Sequence, residues 1–299
     1  MAEAKFSHIP VLLKEAIDFL AVRRGGTYVD ATLGLGGHSY EIAKLIGREG
    51  RLIGFDKDPA ALERARQKLS EPPAELKDDW PEMQFEHGSF ATISEVLKAN
   101  SIDGLMADLG VSSLQLEDAS RGFSFQADGP LDMRMNPQEG MTADQVVNRM
   151  DETSLANVIY EFGEERRSRR IARAIVRARP IRTTRHLVEV VSAAARPMKQ
   201  ERIHPATRTF QAIRIFVNRE LDDVKALLES APTALKKDGR LVVISFHSLE
   251  DRIVKDAIRD GAHKGVYEML TKKPVTATEE EIESNPRSRS AKLRAARKV

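Results

Sequence analysis

The first chemical signal in this sequence is a set of three acids around a glycine turn. Asp30, Asp56 and Asp108 each stand at the end of a short apolar run: Tyr28-Val29-Asp30-Ala31-Thr32, Arg51-Leu52-Ile53-Gly54-Phe55-Asp56, and Ile102 to Leu109. Each run reads as a β-strand. Between the first two lies Gly34-Leu35-Gly36-Gly37-His38-Ser39, followed by helix-spaced Ile42, Ala43, Leu45 and Ile46. Glycines at a strand-to-helix turn let backbone approach a ligand, and the helix N-terminus behind them favours an anionic group. A dinucleotide fingerprint would need a third glycine where Ser39 stands. Asp30 would also repel a diphosphate and attract a cation. S-adenosylmethionine carries a sulfonium, an ammonium and one carboxylate but no phosphate, and it suits this charge arrangement better than NAD.

Asp56 follows Gly34 by 22 residues, where an acid can accept both hydroxyls of a ribose. The competing reading of Asp56 is a solvated loop acid. Asp58, with Pro59 after it, reads as a helix cap instead. In open parallel sheets ligands sit outside the carboxyl ends of the strands, so Asp30, Asp56 and Asp108 are expected on one rim.

The elements that must hold these residues alternate. After the second strand a helix carries Ala61, Leu62, Ala65 and Leu69. A polar loop runs from Ser70 to Pro81, Met83 to Glu86 is a weaker strand, and Ile93, Val96 and Leu97 mark a further helix. Such alternation predicts a parallel sheet covered on both faces. It stops between Val111 and Pro205, where helices are expected at Ala143–Arg149, Ser154–Tyr160, Glu165–Arg177 and Thr184–Ala195. It resumes with Phe210, Ile213, Val217, Leu221, Val224 and Leu228, one stripe of a single long helix. Then come a turn at Lys237-Asp238-Gly239, a buried strand from Arg240 to Phe246, a helix over Leu249–Asp260, and a terminal strand pair from Gly265–Thr271 and the tail after Ser288. The expected fold is an α/β sheet domain made of 1–110 and 207–299, interrupted by an all-helical insertion, 111–206.

Composition narrows the function classes. The chain has 299 residues, 41% hydrophobic and 31% charged, enough for a sizeable core. Cysteine is absent, which removes disulfides, thiolate zinc sites, iron–sulfur clusters and cysteine nucleophiles. The seven histidines are scattered without ligand spacing, so no metal site is expected. No apolar run approaches ~18 residues and Met1–Pro10 has no apolar signal core; a cytoplasmic protein without a membrane segment is the expectation. Net charge is only +2. Nine arginines and no acid nevertheless fall between Arg166 and Arg185, and six basic residues and no acid between Arg287 and Lys298. Both runs are candidate phosphate contacts. The first also fits an ordinary amphipathic helix with Ile171 and Ile175 inward.

Longer motifs bring in a resemblance. Thr32 to Ser39, Asp108-Leu109-Gly110-Val111-Ser112-Ser113-Leu114-Gln115-Leu116, Arg121-Gly122-Phe123-Ser124-Phe125, Pro130 to Met135, Thr209 to Ile215, Val243 to Arg252 and Arg289 to Ala295 occur in order, and His8-Ile9-Pro10-Val11-Leu12 fits the start. In these the chain resembles the bacterial 16S ribosomal RNA (cytosine-N4)-methyltransferase family, called MraW or RsmH. The resemblance implies a Rossmann-like S-adenosylmethionine-dependent methyltransferase domain and an acceptor cytidine in the 16S rRNA of the small ribosomal subunit. The helical insertion would then be an RNA-recognition domain. Position by position, it implies cofactor contacts at Gly36, Gly37, His38, Asp56, Phe90, Asp108 and Gln115. Phe90 could cover an adenine face or anchor a helix start. His38 could serve the cofactor or its own helix N-terminus, and for Gln115 the sequence offers little either way.

The exocyclic amine of cytosine is a poor nucleophile because its lone pair is shared with the ring. Acceptors on its protons and in-line positioning would assist attack. Asp108 is the candidate acceptor, with service to the cofactor alone as the alternative. His247 precedes a helix cap expected at Ser248 with Asp251 and is a weaker candidate. The target base must be unstacked or single-stranded. Two other functions fit less well: a non-catalytic rRNA-binding assembly factor, and an NAD-dependent oxidoreductase.

Overall fold

The computed structural model describes residues 9–195 and 205–299. His8 of the opening motif and residues 196–204 of the expected insertion lie outside the described residues. Two compact units emerge. The first runs to Gly110 and resumes at Leu221; the second spans Val111–Glu220.

The first unit is built on strands β1 (Thr27–Asp30), β2 (Arg51–Asp56), β3 (Glu82–His87), β4 (Ile102–Asp108), β5 (Leu235–Ser245), β6 (Tyr267–Met269) and β7 (Lys292–Lys298). They form one sheet in the order β3-β2-β1-β4-β5-β7-β6. The first five are parallel, and β7 lies antiparallel between β5 and β6. The order 3-2-1-4-5 is that of doubly wound nucleotide-binding sheets, with its switch point between β1 and β4. The four N-terminal helices of this unit are α1 (Leu13–Leu20), α2 (Gly37–Ile46), α3 (Pro59–Leu69) and α4 (Ile93–Val96). The α3 stripe Ala61, Leu62, Ala65 and Leu69 is buried, and Asp58 caps the helix by accepting the Ala60 N–H at 3.0 Å, with Pro59 at the first position.

Both faces of the sheet are covered. Val29, Ile53, Phe55, Leu105 and Val243 enter one core and Tyr28, Leu52, Met106 and Val242 another, the alternation expected of a strand buried on both sides.

The second unit is helical, with α5 (Ser113–Glu117), α6 (Ala143–Arg149), α7 (Glu152–Gly163), α8 (Ser168–Ala178), α9 (Thr184–Ala194) and α10 (Pro205–Asn218). Its own core includes Val146, Leu155, Ile159, Ile171, Leu187, Phe210 and Ile213. Among its described residues the sole β-pairing is the bridge Pro130–Thr183. The first unit is completed by α11 (Glu220–Ala234), α12 (Ser248–His263) and α13 (Glu279–Ser284).

Four expectations are corrected here. The single long helix is two, α10 and α11, broken at Arg219, whose φ is +54°. The apolar stripe continues across the break but changes partner: Phe210 and Ile213 enter the helical core, Val224 and Leu228 the sheet core. For the same reason the chain returns to the sheet unit at Leu221 rather than at 207. The cap of α12 is His247 rather than Ser248, in a reciprocal box with Glu250. Most of the basic tail is the inner strand β7 rather than a loose phosphate grip: Lys292 and Arg294 pair with Asp251 and Arg297 pairs with Glu268 and Asp238, while Arg287 and Arg289 precede the strand. Among the described residues, no helix is long and apolar enough to cross a membrane.

Gly122 shows why one motif glycine is required. Its φ is +70°, and a Cβ there would collide with the Pro130 carbonyl oxygen. Gly140 has a similar φ of +79° with nothing within 4 Å. Gly122→Ala should therefore destabilise the chain by about 3 kcal/mol or more, and Gly140→Ala by only about 1 kcal/mol of left-handed strain. Urea denaturation of the two variants checks the difference; equal costs would show that the collision is relieved by small shifts.

Candidate active site at the carboxyl ends of the strands

Register sets the acids in place. Asp30 is level with Gly54 on β2 and Met106 on β4. Asp56 and Asp108 lie two residues further along those strands, so all three acids share one parity on adjacent strands. The backbone after β1 then folds over them. Leu33 N–H bonds the Phe55 carbonyl, and Gly34 N–H donates to Asp56 Oδ2 at 2.7 Å. Asp56 Oδ1 accepts the Asp58 N–H at 2.8 Å. Asp56 thus ties the glycine turn to β2, and the spare lone pairs of its oxygens can still accept hydroxyl groups.

Asp30 lies deeper than its place in the sequence implied. It is 1% exposed, with Oδ2 accepting from Ser39 Oγ at 2.7 Å and Oδ1 from the Thr32 N–H at 3.1 Å. Ser39, which breaks the dinucleotide fingerprint, therefore has a structural use: its hydroxyl binds the acid beneath the turn. Thr32 contributes again, its Oγ1 accepting the Asp108 N–H at 2.6 Å. Neither hydroxyl was singled out in the sequence; a small hydroxyl residue beside a strand-end acid is the signal that could have found them.

Gly36 has a φ of +74° and begins α2, where no side chain caps the helix. The N-terminal turn of α2 therefore suits a carboxylate. Gly37 has a packing reason of its own, since a Cβ would lie 2.5 Å from Pro10 Cγ. His38 is buried, its Nε2 3.0 Å from the Val11 carbonyl oxygen. A carbonyl can only accept, so Nε2 carries the proton. That leaves Nδ1 facing Asp108 Oδ2 at 3.8 Å.

Asp108 is the unusual member. Its side chain is 18% exposed, yet Oδ1 is buried with no hydrogen-bond partner among the described residues. Burial pushes its carboxyl well above the usual range, and the negative charges of Asp30 and Glu250 add to that. Glu250 is itself buried, holding the Phe246 N–H at 2.9 Å from the start of α12. Burial also raises Asp30 and Asp56, each to about 6, against the opposing hydrogen bonds.

Such a rim suits a cationic ligand that brings hydrogen-bond donors: an orphaned acceptor, a second acid with free lone pairs, and crowded negative charge. An S-adenosylmethionine-like molecule fits this donor requirement. Gly36, Gly37, His38, Asp56 and Asp108 are drawn together around the turn. Phe90 lies after β3 on a short 3-10 turn, half-buried against the sheet core. Gln115 belongs to the helical unit, where it is buried and closes a capping box with Ser112 on α5.

The raised acids fix a pH dependence. A carboxyl raised on folding favours the folded state only while protonated. Asp30 and Asp56 thus make the ligand-free chain lose stability as pH rises from about 4 through about 6. Asp108→Asn removes the unpaired charge and should stabilise the ligand-free chain by about 1–3 kcal/mol at alkaline pH, the gain shrinking toward acid. Urea midpoints across that range check this; a variant less stable at alkaline pH would show that the carboxylate is compensated.

The MraW methylase family model matches residues 5–299. The chain is 70% identical over 294 residues to the ribosomal RNA small subunit methyltransferase H of Koribacter versatilis, covering 98% of this chain and 94% of that one. It is 64% identical over 291 residues to the protein of the same name from Acidobacterium capsulatum, covering 97% and 98%. The counterpart from Synechococcus elongatus is 50% identical over 297 residues, covering 99% and 96%.

Proposed function

This chain belongs to the MraW methylase family, and from that premise we propose that it transfers a methyl group to the N4 amine of a cytidine in the 16S rRNA of the small ribosomal subunit. The relatives' shared name carries the substrate class, small-subunit ribosomal RNA. The orphaned Oδ1 of Asp108 carries the assignment of the site. S-adenosylmethionine, when bound, supplies the electrophilic methyl. Asp56 holds its ribose hydroxyls, and the uncapped start of α2 at Gly36 and Gly37 holds its carboxylate. Within the sheet unit, Phe90 completes the contacts that the family resemblance implies.

The chain's own contribution is positioning and charge. Asp108 accepts a hydrogen bond from the cytosine amine, drawing its lone pair out of conjugation with the ring. His38, its Nε2–H fixed on the Val11 carbonyl, sets its imidazole beside the other carboxylate oxygen at 3.8 Å, beyond hydrogen-bond distance. The helical unit recognises the RNA around an unstacked target base. Assembled small subunits in the cytoplasm are the proposed setting.

Small subunits from a strain lacking this protein should accept tritium from labelled S-adenosylmethionine, and nucleoside mass analysis should find N4-methylcytidine. Retention on subunits without label transfer would make the chain a non-catalytic assembly factor. Asp108→Ala should reduce transfer by about 100-fold or more. Calorimetric titration then separates two roles: unchanged cofactor affinity supports the amine acceptor, and lost affinity places Asp108 with the cofactor alone.

A further inference from the structure

The helical unit arranges its arginines in a line. α8 turns Ile171, Ala172 and Ile175 into the core. At 100° per residue, Arg169, Arg170, Arg173 and Arg177 fall on the opposite side within an arc of about 100°, spread over about 12 Å of helix. All four are exposed. Arg173 pairs with exposed Glu152 at 3.2 Å. Arg169, Arg170 and Arg177 make no side-chain hydrogen bond or ion pair among the described residues, nor do exposed Arg166 and Arg182 at the two ends.

Other arginines in the same run show what the fold itself uses. Arg167 pairs with buried Glu165, and Arg179 donates to the Val147 and Met150 carbonyls. The line on α8 is a separate feature. Like charges three and four residues apart oppose helix formation, and no acid between 166 and 185 offsets them. A face kept merely for solubility would mix lysine and glutamate. This one is arginine alone, the planar donor that meets phosphate oxygens in pairs.

We infer that the arginine line of α8 is a clamp for the phosphate backbone of the RNA substrate. It holds the RNA strand by its phosphates and reads no bases. This rests on the proposed rRNA substrate, and it names the face and the chemical group that the helical unit grips.

The test is the triple variant R169Q/R170Q/R177Q, with R169K/R170K/R177K beside it, each checked for an unchanged melting curve. Binding to naked small-subunit rRNA and to assembled subunits is measured between about 50 and 200 mM salt, the range over which counterion release dominates. For the glutamine variant the slope of log K against log salt should shallow by about two to three. Affinity should fall about tenfold or more, the KM for RNA should rise correspondingly, and S-adenosylmethionine affinity should stay constant. The lysine variant should keep the wild-type slope. A wild-type slope in the glutamine variant overturns the clamp. A loss seen on assembled subunits but absent on naked rRNA also overturns it, in favour of an acidic protein surface. Wild-type chain that binds RNA but transfers no methyl defeats the enzymatic reading and leaves the clamp standing.

Discussion

One carboxylate oxygen without a partner is the constraint around which the sheet unit is arranged. Proteins seldom leave a buried acceptor unsatisfied, because desolvation is then uncompensated. Here the sheet imposes it. Asp108 ends a strand buried on both faces, its backbone N–H is taken by Thr32, and the histidine opposite is itself fastened to a carbonyl. Asp30 beneath and Glu250 beside it intensify the negative charge. A hydrogen-bond donor brought by a ligand would relieve the conflict. The glycine turn, the Asp56 bridge and the start of α2 stand around that same point.

Much of this was legible in the chain because it is local. Strand ends, the Asp58-Pro59 cap and the glycine turn depend on neighbours a few residues away. The break at Arg219 was not legible, since the helical period runs through it unchanged and only the identity of the facing core differs. The basic tail misled for a related reason. Lys292, Arg294 and Arg297 are paired with Asp251, Asp238 and Glu268, acids distant in sequence that the fold brings alongside. At Asp30 the sequence showed an acid at the rim, and the structure shows one sealed under Ser39. Gln115 and Phe90 entered through the family resemblance, because a capping glutamine and a half-buried phenylalanine carry no chemical signature of their own.

Arginine serves two purposes in one chain, and the difference lies in its surroundings. Arg294 in β7 is buried and fixed by Asp251, so its charge is spent on holding α12 to the sheet. Arg169, Arg170 and Arg177 on α8 make no such pair among the described residues. Local charge counts could not separate these cases; exposure and pairing do.

The placement of β7 has a consequence for how the molecule comes into being. Of the seven strands, the ribosome makes β7 last, yet it lies between two made earlier. Until it emerges, β5 presents a bare hydrogen-bonding edge of apolar residues, the kind that recruits other chains. Nascent molecules thus pass through an interval in which the nearly finished sheet is adhesive, and chaperone demand and aggregation on overexpression should concentrate there.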